Sequence, residues 1–117
     1  MSDRLTQALP RDAGAPRRAR RLVEEHAAGL PPERLDAAVL LVSELVTNAL
    51  VHGEGEILLE LGMDGDVLRV EIGDRGRRAP HIREDPGADG GWGLRLVEAM
   101  ARRWGVRDGA TSVWFEI

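Results

Sequence analysis

The sequence has no cysteine and no lysine, and its few aromatic residues are three tryptophans and one phenylalanine. Without cysteine the chain can form neither a disulfide nor a thiolate metal site, and it offers no thiol nucleophile. The formal net charge of -4 argues against a general nucleic-acid-binding protein, because such proteins carry an excess of basic residues. We find no secretory signal pattern and no apolar run near the ~20 residues that span a bilayer. These absences predict a cytoplasmic protein with no direct contact to nucleic acid or membrane.

The chain is long enough for one hydrophobic core. At 117 residues and 12.8 kDa it is too short for two, so residues 1–117 are predicted to form a single domain. Apolar residues at helical spacing predict helices, and alternation of apolar and polar residues predicts strands. An Asp-Gly turn joins the two strands in the middle of the chain. The helices are expected over residues 15–28, 31–52 and 94–104, and the strands over residues 4–9, 56–62, 66–72 and 112–117. One apolar and one mixed strand face indicate a sheet covered by helices on a single side.

The predicted helix over residues 31–52 carries two polar residues among apolar ones. Glu44 and Asn48 lie four residues apart on one side of it, with Leu40, Leu41 and Val51 beside them. A carboxylate among apolar side chains loses hydration, so a bound cation or ligand is one candidate partner. A solvated helix edge or a bond to a neighbouring loop is the commoner explanation of such a pair. The spacing alone leaves both interpretations open.

Asp74 stands where the second hairpin strand ends, and alternation directs it toward the helix-covered face. A carboxylate there needs a hydrogen-bond donor, which a ligand amine, the backbone of the following loop or an arginine such as Arg75 could supply. Residues 75–90 show no period, which predicts a long loop of the kind that often forms a lid. Gly91 and Gly93 then precede a helix. That arrangement suits phosphate binding, although chain entry into a helix explains it equally well.

The order of these features carries a family resemblance. A helix with Glu-x-x-x-Asn precedes a hairpin, a strand-end Asp-x-Gly, a loop and a Gly-x-Gly that opens a helix. In this order the sequence resembles the GHKL (histidine kinase-like) ATPase superfamily of gyrase, histidine kinases and MutL. The segments SELVTNALVHG (43–53) and GWGLRLVEAMARRWGV (91–106) look most like small bacterial anti-sigma factor serine/threonine kinases. The resemblance implies a Bergerat-type ATP-binding fold, an α/β (α+β) two-layer sandwich of a mixed, mostly antiparallel sheet with helices on one face.

The same resemblance implies a role for each matching residue. Glu44 would be the general base for the attacking hydroxyl, and Asn48 would hold the Mg²⁺ bound to the phosphates of ATP. Asp74 would accept the adenine amino group. The remaining nucleotide contacts would come from Gly76, Gly91, Gly93, Leu94 and either Thr111 or Ser112. These roles agree with the chemistry of the side chains, because Mg²⁺ prefers oxygen ligands and apolar neighbours can raise the pKa of a base.

As a whole the resemblance implies an ATP-binding anti-sigma factor that phosphorylates an anti-sigma factor antagonist. It implies ATP and Mg²⁺ as cofactors and the sigma factor and antagonist as partners, and it allows a homodimer. One departure bears on activity, because Arg78 occupies the second glycine position of the family's Asp-x-Gly-x-Gly box. A non-catalytic ATP-sensing interaction module is therefore the alternative. A protein-binding domain that has lost nucleotide is a third, against which the matching pocket residues speak.

Overall fold

The computed structural model describes residues 3–74, 93–107 and 111–117, which contain five strands and three helices. In chain order they are β1 (Asp3–Leu9), α1 (Ala15–His26), α2 (Pro32–His52), β2 (Ile57–Asp64), β3 (Val67–Asp74), α3 (Gly93–Met100), β4 (Arg103–Val106) and β5 (Thr111–Glu116). The long predicted loop over residues 75–90 lies outside the described residues.

The five described strands form one sheet in the order β1-β2-β3-β5-β4, and each of their pairings is antiparallel. β2 and β3 form the expected hairpin, whose turn contains Gly65 at a φ of 65°. Glycine reaches this left-handed conformation without steric cost, which explains the Asp-Gly signal. β5 lies between β3 and β4, so a second hairpin completes the sheet. The predicted α/β sandwich with a largely antiparallel sheet is confirmed.

One face of the sheet is apolar and forms the core with the helices. Along β3, Leu68, Val70 and Ile72 are buried, whereas Arg69 between them is only half-buried. α1 and α2 pack against each other and contact the strands through their buried alanine, valine and leucine side chains. Phe115 of β5 is the largest fully buried side chain among the described residues. Alternation along β3 therefore brings its last residue, Asp74, out on the helix side.

α2 has 21 residues, and an 18-residue window of it has a mean hydropathy of 1.4. By length and composition it could cross a membrane. No such segment was predicted from the sequence. The core helix of a soluble protein passes the same test, and 28% of the apolar window of α2 is buried in the fold. Ala38, Leu41, Val42, Leu45 and Val46 are buried along its length. Packing in the core accounts for this buried side of α2, whereas Leu40 and Val51 are exposed.

The helix predicted over residues 94–104 is shorter than expected. α3 ends at Met100, and Trp104 lies in β4 opposite Phe115 rather than on a helical face. The chain changes direction because the N–H of Arg102 donates to the carbonyl of Glu116 at 2.8 Å, which starts the pairing with β5. Pairing with a distant strand here overrides the local helical period, as tertiary context often does.

Candidate functional site

The end of α2 and the end of β3 meet at Gly53 and Asp74. A Cβ atom placed on Gly53 would lie 1.7 Å from Oδ2 and 2.5 Å from Cγ of Asp74. The carboxylate therefore rests directly on the glycine α-carbon. Asp74 is half-buried in this position, on the sheet face that the helices cover, as alternation along the strand predicted. Only a residue without a side chain leaves room for the carboxylate at this helix end.

Glu44 and Asn48 lie further back along α2. Both side chains are half-buried. Leu41 is fully buried nearby, whereas Leu40 is 39% exposed, so the pair sits at the border between core and solvent. Among the described residues no buried side-chain nitrogen or oxygen lacks a hydrogen-bond partner. The two polar groups are therefore placed where a ligand from solvent could reach them.

A helical rise of 1.5 Å per residue gives the spacing of these groups along α2. Asn48 stands about 7 Å, and Glu44 about 13 Å, along the axis from Gly53. The helix thus carries, from its carboxyl end backward, the contact with the Asp74 carboxylate, then a carboxamide, then a second carboxylate.

β5 brings two hydroxyl-bearing residues to the end of β3. The register pairs Asp74 with Thr111 and Gly73 with Ser112. A Cβ atom on Gly73 would lie 2.8 Å from Oγ of Ser112, so that hydroxyl covers Gly73. Because successive side chains alternate across a sheet, the Ser112 hydroxyl is on the opposite face from the Asp74 carboxylate. Of the two residues that the sequence offered for the adenine contact, Thr111 shares the register position of Asp74.

Comparison with known protein families shows which family this chain belongs to. The family model described as the histidine kinase-like ATPase domain matches residues 9–117. The chain belongs to the histidine kinase-like ATPase family. Membership in this family implies ATP binding and confirms the resemblance seen in the sequence.

Two solved structures share the histidine kinase-like fold with this chain. The structure of the RsbU and RsbW domains of Rv1364c from Mycobacterium tuberculosis matches 98% of the chain, with a TM-score of 0.73 and 24% identity. The Erythrobacter litoralis EL346 blue-light activated histidine kinase matches 86%, with a TM-score of 0.53 and 26% identity. The chain spans 31% and 39% of those two longer chains. No curated protein matches the chain at a significant level.

The histidine kinase-like fold sets α3 beside α2. Gly93 is the first residue of α3, and Val97 anchors this helix in the core. The first N–H groups of a helix have no partner within it, and they can bind phosphate oxygens. Gly76 and Gly91 lie outside the described residues, as does the side chain of Leu94. Their predicted nucleotide contacts stay predictions.

The described part of the chain brings most of the predicted groups onto elements that touch. α2 contacts both β3 and α3, so Glu44, Asn48, Asp74 and Gly93 belong to three elements packed together. Within residues 3–74, 93–107 and 111–117, no group of three or more His, Asp or Glu could hold a metal ion. The carboxamide oxygen of Asn48 nevertheless suits Mg²⁺, because this ion is commonly held by one or two protein oxygens together with water and substrate phosphates.

The contact of Gly53 with Asp74 was not predicted from the sequence. The sequence shows only that Gly53 is the last residue of the matching segment, where the helical period ends. The contact with Asp74 joins two different elements, so no local pattern could reveal it.

A separate groove of about 360 Å³ opens near the other face of the sheet. Several of the charged side chains that line it form ion pairs with each other. Arg69 bonds Glu116 at 3.2 Å and stacks over Trp114 at 4.2 Å from the ring centroid, and Arg4 pairs with Glu60 at 3.6 Å. None of the described residues that line the groove is predicted to contact the nucleotide.

Proposed function

We propose that this chain binds Mg·ATP and transfers the γ-phosphoryl group to a serine or threonine of a protein substrate, as an anti-sigma factor kinase. The observation that carries the proposal is the contact of Asp74 with Gly53. It joins a strand-end carboxylate, a strong acceptor for an adenine amino group, to the helix that bears Asn48 and Glu44.

The order of groups along α2 supports an extended nucleotide. The base would lie at the carboxyl end, against Asp74. The phosphates would reach Asn48, about 7 Å back along the helix axis. The reacting γ-phosphate would then lie toward Glu44, about 13 Å back along the same axis. Each polar group of the helix would thus meet a different part of ATP.

Glu44 would act as the general base in this arrangement. Its carboxylate would accept the proton of the attacking hydroxyl while a new P–O bond forms and the bond to the ADP oxygen breaks. The carboxamide oxygen of Asn48 would hold Mg²⁺, which neutralises charge on the phosphates when it is bound. The first N–H groups of α3, beginning at Gly93, would bind phosphate oxygens.

The partners that fit this function are a sigma factor, held by the protein, and an anti-sigma factor antagonist, which receives the phosphate. The two long segments that look like anti-sigma factor kinases support this choice, and the structural likeness to RsbU and RsbW domains agrees with it. We expect one domain that acts in the cytoplasm and can form a homodimer.

A second candidate function is an ATP-sensing interaction module without transfer activity. Arg78 favours it, because this residue stands where the family's glycine box has its second glycine. A side chain and a positive charge at that place can hold the nucleotide without allowing turnover.

Phosphotransfer to a candidate antagonist from the same genome tests the proposal, with γ-labelled ATP as donor. Glu44→Gln keeps the shape of the side chain but cannot take the proton, so transfer should fall by roughly 10²–10⁴-fold while ATP affinity survives. Asp36→Asn is the matched control, since Asp36 is an exposed carboxylate on the same helix. Transfer by Glu44→Gln at the parent rate would refute the base assignment. If the parent protein binds ATP and labels no antagonist, the sensing module is the better description.

A further inference from the structure

The carboxyl end of α2 is held by an arginine from a distant part of the chain. Nη2 of Arg11 donates to the carbonyl of Leu50 at 2.6 Å and also to the carbonyl of Gly53. Nη1 donates to the carbonyl of Gly55 at 3.4 Å. Arg11 follows β1, and it is separated from these acceptors by 39, 42 and 44 residues. One side chain thus fixes the last turn of α2 and the connection to β2.

Arg11 takes the place of the usual C-terminal cap of a helix. Many helices end on a glycine in the left-handed conformation, whose N–H groups satisfy the last carbonyls. Gly53 instead has φ -92° and ψ -170°, an extended conformation, and its N–H bonds only the carbonyl of Ala49. The guanidinium of Arg11 supplies the missing donors as a rigid fork, and its positive charge suits the negative end of the helix dipole.

The extended conformation of Gly53 determines which backbone atoms lie against the Asp74 carboxylate. It presents the glycine α-carbon to the Asp74 carboxylate, which leaves no space for a Cβ atom between them. Arg11 holds the carbonyl of this same residue. The backbone surface that limits the position of the Asp74 carboxylate is therefore itself fixed by Arg11.

We infer that Arg11 is a positioning residue for adenine recognition, which rests on the proposed ATP site. By fixing Leu50, Gly53 and Gly55, it holds the wall that orients Asp74 toward the amino group of the base. Arg11 acts through Gly53 and need not touch the nucleotide. Its removal should therefore reduce the preference for a base with a 6-amino group more than it reduces binding of the ribose and phosphates.

The test compares two nucleotides that differ in that amino group. ATP and purine riboside triphosphate, which lacks the 6-amino group, are titrated into the full chain with Mg²⁺, and the ratio of their affinities is measured by calorimetry. The parent should prefer ATP by about tenfold or more, since a hydrogen bond to a charged group is at stake. Arg11→Ala should bring the ratio close to one. Arg11→Lys should lie between, because an ammonium group lacks the planar fork that reaches several carbonyls.

Arg34 provides a matched control. It donates to a backbone carbonyl, that of Asp66 at 2.5 Å, but at the opposite end of α2. Arg34→Ala should keep the parent ratio even if it lowers the melting temperature.

The results separate this inference from the function on which it rests. A parent protein that binds neither nucleotide overturns the ATP site and the role of Arg11 with it. A parent that prefers ATP together with an Arg11→Ala variant that keeps the same preference overturns the role of Arg11 alone. Should Arg11→Ala fail to fold, a parent-like ratio in Arg11→Lys overturns it equally.

Discussion

Replacing Gly53 by alanine adds one methyl group where α2 meets the Asp74 carboxylate. The new Cβ would lie 1.7 Å from Oδ2 of Asp74 and 2.7 Å from the carbonyl oxygen of Ala49, both far inside van der Waals contact. The carbonyl belongs to the helix backbone and cannot move far, so the carboxylate must turn away. The φ of -92° at residue 53 is accessible to alanine. Backbone strain at this residue is therefore not the reason for the effect.

The expected loss follows from the proposed hydrogen bond to adenine, which the displaced Asp74 carboxylate would no longer make. A bond to a charged group contributes about 1.5–3 kcal/mol, so Mg·ATP should bind roughly 10- to 150-fold more weakly to Gly53→Ala. Calorimetric titration measures this directly. Gly29→Ala is the matched control, because a Cβ at Gly29 meets no atom within 4 Å. Parent-like affinity in Gly53→Ala would refute the view that this glycine makes room for the adenine-binding carboxylate.

Two further variants test other parts of the site. Asn48→Ala removes the proposed oxygen ligand of Mg²⁺, so ATP should bind more weakly and excess Mg²⁺ should partly restore the binding. Titrations at rising Mg²⁺ measure this, and an unchanged Mg²⁺ dependence would contradict the assignment. Thr111→Val should weaken ATP binding more than Ser112→Ala does. The reason is that Thr111 is the cross-strand partner of Asp74, whereas the Ser112 hydroxyl covers Gly73 on the other face of the sheet. A larger loss of ATP affinity in Ser112→Ala would instead favour Ser112 as the adenine contact.

Local patterns predicted the elements whose signals are local. α2 begins within one residue of the predicted start and ends at His52 as expected, because its apolar spacing and flanking Pro and Gly residues mark both ends. The β2-β3 hairpin follows from alternation around an Asp-Gly turn, which requires the positive φ of Gly65. The position of Asp74 on the helix side follows from the same alternation.

Contacts between distant segments explain what the sequence patterns missed. Trp104 fits the helical spacing that precedes it, yet it lies in β4 because Arg102 pairs with the backbone of Glu116. Arg11 looks like an ordinary surface arginine in the sequence, and its acceptors on α2 lie some forty positions further on. The hydrogen bonds of Arg11 cannot be predicted from a periodic pattern, because they depend on how β1 is placed against the end of α2.

Thermal unfolding with and without Mg·ATP tests the central claim most directly. A ligand that binds only the folded state at a hundredfold excess over Kd stabilises it by about 2.7 kcal/mol, which for a domain of this size raises Tm by about 10 °C. Asp74→Ala, which removes the proposed adenine acceptor, should lose most of that shift, while the exposed-carboxylate control Asp36→Asn should keep it. A folded parent protein whose Tm is unmoved by millimolar Mg·ATP would contradict the account.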